Sequence, residues 1–337
     1  MTEKLPLLVD VPTRGEIEAI HQGIRVLVPP TPALNYSYLD RDLGCSLYFK
    51  CEQFHEIGAF KLRGATSAAL ALSEAQRAMG IATHSSGNHA QATACIAQQL
   101  GIPAYIVMPS NAPKVKIEAT KGFGAAITFC EPTQQAREAA LDKICQETGA
   151  YFIHPYNNYN VIAGQATAAK ELLEQVPDLD MIIAPVGGGG LLSGTALWSH
   201  YAGKGINVLG AEPQAVDDAF RSLHAGSIQQ NESANTLADG LKTTLGEFTF
   251  PLIQKYVSEI HTVSEAEIIA AMAMLWKRLK LVTEPSGSVP FAALLRNAEK
   301  FAGKRIGIIL SGGNVDMEKL PFIAQQLFRN QETSGLC

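Results

Sequence analysis

The chain of 337 residues is 47% apolar with a net charge of −5, acidic and basic residues being intermixed. That suffices for a large core in two lobes and lacks the basic stripe of a nucleic-acid surface. Met1–Leu7 holds no secretory apolar core, no run reaches membrane-spanning length, and six cysteines without a CxxC pair are expected as reduced thiols in a cytoplasmic protein.

Short apolar runs, read as strands, alternate with longer helical patterns. In chain order the sequence predicts a strand at Ser46–Lys50, helices at Leu62–Leu72 and Asn88–Leu100, and strands at Ala104–Met108 and Ala125–Phe129. Helices follow at Gln134–Thr148 and Ala163–Glu174, then a strand at Met181–Ala184, a helix at Leu191–Tyr201 and a strand at Val208–Ala211. A helix at Glu265–Leu279, with Ser264 as N-cap and Glu267 three residues on, precedes a last strand at Ile306–Leu310. The polar tail Arg329–Cys337 is expected to fray. This alternation predicts an α/β fold with open, largely parallel sheets. In such sheets ligands bind beyond the carboxyl ends of the strands. Ser85–His89, Gly187–Gly190 and Ser311–Asn314 all occupy such positions and are expected to converge.

Lys61 stands in Ile57-Gly-Ala-Phe-Lys-Leu-Arg-Gly64. Most lysines in a helical pattern are solvated, but an apolar setting and the nearby charge of Arg63 are expected to lower its pKa. A deprotonated amine can attack a carbonyl. Gly187, Gly188, Gly189 and Gly190 lie between an apolar strand and a helix, where bare N–H groups can close around a phosphate. They do not fit GxGxxG, and Leu191-Leu192 stand where a Walker A lysine would be. Lysine and glycine run together describe a site for an aldehyde bearing a phosphate, and pyridoxal 5′-phosphate is the commonest cofactor of that kind. Thr83-His-Ser-Ser-Gly-Asn-His-Ala90 reads as a carboxylate cradle at a helix N-terminus, or as an ordinary cap made by Ser85 or Ser86. No ligand-spaced partners suit His84 or His89 to a metal. Ser311 offers a neutral hydroxyl to a ring nitrogen.

Gly58-Ala-Phe-Lys-Leu-Arg-Gly-Ala65, Ser85-Ser-Gly-Asn-His-Ala-Gln91, Ile162-Ala-Gly-Gln165, Pro185–Gly190, Ala238-Asp-Gly240, Glu284-Pro285 and Ser311-Gly-Gly-Asn314 together resemble the fold-type II pyridoxal-phosphate enzymes. The similarity is to the serine/threonine dehydratase and serine racemase group, a tryptophan synthase beta-like fold, and runs from about Gly23 to Asp316. The regulatory C-terminal domain of biosynthetic threonine dehydratases is expected to be missing. The resemblance implies that Lys61 forms the Schiff base and acts as acid and base, with Phe60 near the ring. It implies that Asn88 bonds the phenolic oxygen, Gly187 to Gly190 the phosphate and Ser311 the pyridine nitrogen. Ser85, Ser86, Gly87 and His89 would grip the substrate carboxylate. The activity implied is a dehydratase, an ammonia-lyase converting L-serine, L-threonine or 3-hydroxyaspartate to a 2-oxo acid and ammonia.

Serine racemase is the alternative. Ser86 resembles the racemase residue that exchanges a proton on the face opposite the lysine, although a serine there can simply cap the helix. Glu212-Pro-Gln-Ala-Val-Asp-Asp218 resembles that branch's cation loop. Glu212, Asp218 and the Val216 carbonyl would then hold Mg²⁺ or Ca²⁺, where the plain alternative is a solvated acidic turn. Arg137 matches an arginine near the substrate of racemases, or lies on a helix surface. Tyr156 falls at a pocket position that varies in the family and could meet the substrate β-substituent or the cofactor. A nicotinamide oxidoreductase would need a dinucleotide fingerprint that is absent. The expected organisation is a large domain of residues 1–79 and 153–337 and a smaller one of 80–152 that closes on the substrate. A homodimer and a small amino-acid substrate are implied, without nucleic acid or membrane.

Overall fold

The computed structural model describes residues 5–317 and 320; the expectation for Arg329–Cys337 lies outside them. Among the described residues ten strands form two sheets. They are β1 (Ala33–Asn35), β2 (Ser46–Cys51), β3 (Ile81–His84), β4 (Ala104–Pro109), β5 (Ala126–Cys130), β6 (Tyr151–Phe152), β7 (Met181–Pro185), β8 (Asn207–Pro213), β9 (Glu259–Val263) and β10 (Arg305–Leu310). The larger sheet runs β1-β2-β10-β7-β8-β9, the smaller β5-β4-β3-β6. Only the β1–β2 pair is antiparallel; every other pairing is parallel. The smaller sheet is built wholly from chain between β2 and β7, so it is an insertion into the larger one.

The central strand β7 is apolar throughout because helices cover both faces. β7, Met181-Ile-Ile-Ala-Pro185, is buried at every position, whereas edge strand β5 is mostly exposed. On one face the helices Lys61–Ala71, Tyr159–Gln175 and Gly190–Ala202 pack side by side. Two glycines set their approach. A Cβ on Gly164 would lie 2.6 Å from the Arg63 carbonyl, and one on Gly194 would lie 2.6 Å from the Ile162 carbonyl. Among the described residues no helix is long and apolar enough to cross a membrane.

The helices Asn88–Leu100 and Gln134–Thr148 have the bounds the periodicity predicts. Others move. The helix expected from Ala163 starts at Tyr159, capped by Asn158, whose side chain accepts from Val161 N. Its early turn was hidden by Asn160, a buried amide that bonds Leu8 N and the Pro6 carbonyl. The helix expected to reach Leu279 is α-helical only to Met274 and continues as a π-turn, Leu275–Leu279. Four strands went unread: β1, β3, β6 and β9. β3 is Ile-Ala-Thr-His, too short and too polar at its end to show an apolar run. The helix Pro285–Arg296 tolerates Pro290 inside it and was likewise invisible as a period.

Candidate functional site

Lys61 is the first residue of its helix, and the turn before it is stitched to the loop after β10. Phe60 N donates to the Ser311 carbonyl at 3.0 Å, Gly313 N donates to the Gly58 carbonyl at 2.9 Å, and Ala59 bridges Gly312. Lys61 Nζ donates to the Pro155 carbonyl at 2.7 Å and lies 5.1 Å from the Phe60 ring centre. Burial lowers its pKa to about 8.

Arg63 does not share in that shift, contrary to the expectation from sequence. Its guanidinium is fully buried in another direction. Nε and Nη2 donate to Glu52 at 2.6 and 2.9 Å, and Nη1 and Nη2 donate to Glu171 at 2.7 Å each. Lys50 Nζ also reaches Glu171, at 2.7 Å. Two carboxylates thus balance two cations, and Lys61 is tuned by desolvation.

The glycine loop follows β7. A Cβ on Gly188 would collide with the Tyr156 ring, and one on Gly187 would lie 2.9 Å from Leu241 Cα. Gly189 takes the left-handed conformation, φ +89°, which favours glycine. Thr249 Oγ1 donates to the Gly188 carbonyl at 2.8 Å. The helix Gly190–Ala202 starts inside the loop, so its first N–H groups lack helical acceptors and suit an anion. A cradle in which side chains have no room, beside a weakly basic amine, fits a phosphate-bearing aldehyde.

Ser85–His89 lie at the carboxyl end of β3. Ser85 N donates to the Val107 carbonyl at 3.1 Å, and Ser85 Oγ accepts from Gly87 N at 3.3 Å. The N-cap of the following helix is Gly87, which has no side chain to cap with. Neither serine is therefore the N-cap, and Ser86 lies partly exposed beside it. A Cβ on Gly87 would meet nothing within 4 Å; the loop borders open space. His89 is buried, with Nε2 bonded to the Ile153 carbonyl at 3.0 Å. Burial, then the charge of Lys61, hold it well below the usual imidazole range. Nε2 must carry the ring proton to donate there, and the buried Nδ1, which has no partner among the described residues, then has no proton to offer; that leaves the main chain for a substrate carboxylate.

Asn88 is held on both sides. Its Nδ2 donates to Glu284 Oε1 at 2.7 Å, and its Oδ1 accepts from Asn314 Nδ2 at 2.9 Å. Burial, then Asp239, push Glu284 up to about 8, so this carboxyl is largely protonated at neutral pH. Ser311 is buried in the same shell: a Cβ on its neighbour Gly312 would lie 2.6 Å from Glu284 Oε1 and 3.2 Å from Asn88 Nδ2. The sequence predicts no role for Glu284 or Asn314, although both fall inside its motifs. The Glu-Pro and Ser-Gly-Gly-Asn signatures were the signal available.

Tyr156 packs on the glycine loop and edge-on to His154, at 4.7 Å and 88°. Burial and, after it, the charge of Asp218 raise its phenol pKa. Arg137 is partly buried in the helix Gln134–Thr148, with a buried Nε that has no hydrogen-bond partner. Its charge is felt at His84, the last residue of β3, so it stands near the carboxylate loop.

Glu212, Val216 and Asp218 lie together away from the lysine turn. Glu212 is fully buried in β8; Oε1 accepts from Ala219 N at 3.1 Å and Oε2 from Phe220 N at 2.9 Å. Asp218 Oδ2 accepts from Leu245 N at 3.1 Å, and its buried Oδ1 has no partner. Burial raises Asp218 to about 6; burial, then Asp218, lift Glu212 well above the carboxylate range. The acidic pair is therefore no solvated turn. Its orphaned oxygen suits a hard cation, with the Val216 carbonyl in the short helical turn between them. Among the described residues no cluster of three or more His, Cys, Asp or Glu forms a metal site.

The family of pyridoxal-phosphate dependent enzymes matches residues 24–312. The chain is 48% identical to a beta-hydroxyaspartate dehydratase of Paracoccus denitrificans, over 93% of this chain and 99% of that protein. It is 45% identical to an L-threo-3-hydroxyaspartate ammonia-lyase of Saccharomyces cerevisiae, over 92% of this chain and 95% of that protein. Maize serine racemase superposes with a TM-score of 0.89 at 39% identity, covering 99% of this chain and all of that one.

Proposed function

The chain belongs to the pyridoxal-phosphate-dependent enzymes, with their type II fold, and on that premise we propose a dehydratase that releases ammonia from small β-hydroxy amino acids, 3-hydroxyaspartate foremost. The observation that carries this reading is the desolvated amine of Lys61, pKa about 8, placed beside a glycine loop where side chains have no room. Gly187 to Gly190 would hold the phosphate, Lys61 the aldehyde carbon, Asn88 the phenolic oxygen, Ser311 the ring nitrogen, and Phe60 the side of the ring. Bound pyridoxal phosphate supplies a sink for the negative charge left at the substrate α-carbon.

The remaining chemistry falls to the protein. Ser85, Ser86, Gly87 and the His89 main chain bind the α-carboxylate at a helix N-terminus. Lys61 Nζ, free once the substrate amine takes its place, accepts the α-proton, and a pKa of about 8 suits it to giving and taking protons near that pH. The β-hydroxyl then leaves as water with the proton that Lys61 has taken, and the released enamine takes up one water to give a 2-oxo acid and ammonia. Arg137, a partly buried cation near the carboxylate loop, supports a substrate with a second carboxylate; so do the names of two relatives. Tyr156 bounds the pocket on the glycine side. Residues 80–152 would act as a smaller domain that closes on the substrate and excludes water, residues 1–79 and 153–337 forming the larger. Mg²⁺ or Ca²⁺ at Glu212, Val216 and Asp218 is proposed on the strength of the orphaned Asp218 oxygen.

Serine racemisation is a second reading, favoured by Ser86 not being the helix N-cap. Turnover of 3-hydroxyaspartate, L-threonine, L-serine and D-serine, with chiral analysis of what remains, tests both. The expected result is 2-oxo acid formation with 3-hydroxyaspartate preferred. Arg137→Ala should lower that preference over serine about tenfold or more. An enzyme that yields no 2-oxo acid from any of the four sinks the dehydratase.

A further inference from the structure

Residues 153–157 tie together parts of the site that the sequence keeps far apart. The Ile153 carbonyl accepts from Thr83 Oγ1 and His89 Nε2, each at 3.0 Å, which fixes the segment to the end of the smaller sheet. The Pro155 carbonyl accepts from Lys61 Nζ. The Tyr156 ring covers Gly188, and its Cβ lies 3.0 Å from where a Cβ on Gly190 would be. Asn157 Oδ1 accepts from Phe248 N at 2.7 Å, and the next residue, Thr249, holds the Gly188 carbonyl. One short turn thus touches the lysine at one end and the phosphate loop at the other.

A proline carbonyl in such a turn points wherever the turn points it. What closes this turn is a side chain: His154 Nδ1 accepts from Asn157 N at 2.8 Å and from Tyr156 N at 3.3 Å. Nδ1 must then be the unprotonated nitrogen, with any ring proton on Nε2. Burial, then His84 and Lys61, lower the pKa of His154 to about 4, so the acceptor persists through neutral pH. The edge-on contact with Tyr156 adds a second restraint.

We propose that His154 is a positioning residue: its Nδ1 closes the turn that aims the Pro155 carbonyl at Lys61 Nζ and seats Tyr156 on the glycine loop, and so sets the spacing between amine and phosphate cradle. This deepens the cofactor reading above and rests on it for the binding test. The residue touches no reacting atom and exerts its effect through its neighbours.

Asparagine carries its Oδ1 where histidine carries Nδ1, whereas leucine keeps bulk without an acceptor. His154→Leu and His154→Asn are therefore compared with wild type in two assays. In the first, cofactor-free protein is titrated with pyridoxal phosphate and the yellow absorption of the Lys61-bound form is followed. In the second, cofactor-free protein is treated with an acylating reagent and the rate at Lys61 is read by peptide mass. Losing the turn's hydrogen bonds should weaken cofactor binding about tenfold and speed acylation of Lys61 about threefold in the Leu variant. The Asn variant should hold wild-type values in both. A Leu variant that folds and matches wild type overturns the proposal, as does an Asn variant as impaired as Leu. If Leu does not fold, the Asn variant decides by itself: about a tenfold loss of cofactor affinity overturns the role. Wild type that never turns yellow defeats the cofactor reading instead, and the acylation rates still judge His154.

Discussion

At the scale of single residues the site works by removing water from ionisable groups. Lys61 loses basicity because burial disfavours its charged form. Glu284 is raised by the same effect, so that Asn88 is fixed by a carboxyl that is largely uncharged at neutral pH. Ser86 is different: it is partly exposed, and the cap position belongs to Gly87. Stereoinversion needs a proton-transferring group on each face of the α-carbon, one to remove the proton and one to return it, whereas elimination needs a base on one face only. Ser86→Ala should therefore suppress racemisation of serine by about a hundredfold or more while elimination from the L-substrate falls much less. Chiral chromatography of residual serine beside 2-oxo acid release measures the two; equal losses would reduce Ser86 to a binding residue.

At the scale of elements, the helix that begins with Lys61 is pinned by what stands two residues later. Arg63, Glu52, Glu171 and Lys50 join the strand β2, the turn after it and the helix Tyr159–Gln175, with Thr31 and Thr167 filling remaining hydrogen-bond positions. Such a buried cluster adds little net stability over an apolar core, but removing one partner strands a charge. Glu52→Gln leaves Arg63 and His55 without that carboxylate and should cost about 3–5 kcal/mol in unfolding free energy. Urea denaturation of the cofactor-free protein checks it. A loss below about 1 kcal/mol would mean that water enters and solvates the cluster.

At the scale of the molecule, two sheets face one site from different sides. The carboxylate loop is on the smaller sheet, and the lysine turn and glycine loop are on the larger. Lys116, in the helix Lys114–Gly122, makes an ion pair with Asp239, which in turn lies close enough to raise Glu284. That pair bridges the two proposed domains beside the site. Crystals grown with and without a dicarboxylate inhibitor should differ in the angle between the sheets; the same angle in both would remove closure from the mechanism. The cation proposal is also read on the whole molecule. A bound cation would add binding energy to the folded state alone, so chelation should lower the midpoint of thermal unfolding, and Ca²⁺ or Mg²⁺ should restore it. A midpoint indifferent to chelator and to added cation would leave Glu212 and Asp218 as hydrogen-bond acceptors alone.

The sequence by itself determined the α/β class, because long apolar periods such as Asn88–Leu100 and dense runs such as Met181–Ala184 are local properties. It also determined the cofactor chemistry, because Phe60-Lys61 and four successive glycines are unusual in the chain itself. Tertiary structure decided the rest. Whether Arg63 acts on Lys61 depended on where Glu52 and Glu171 lie, and Glu171 is 108 residues away in the chain. Strand β3 became a strand because neighbours pair with it on both sides, despite a polar end. Pro155 meets Lys61, and Glu284 meets Asn88, only across many residues of chain. Desolvation and hydrogen-bond partnership depend on what surrounds a side chain, and only folding assembles those surroundings.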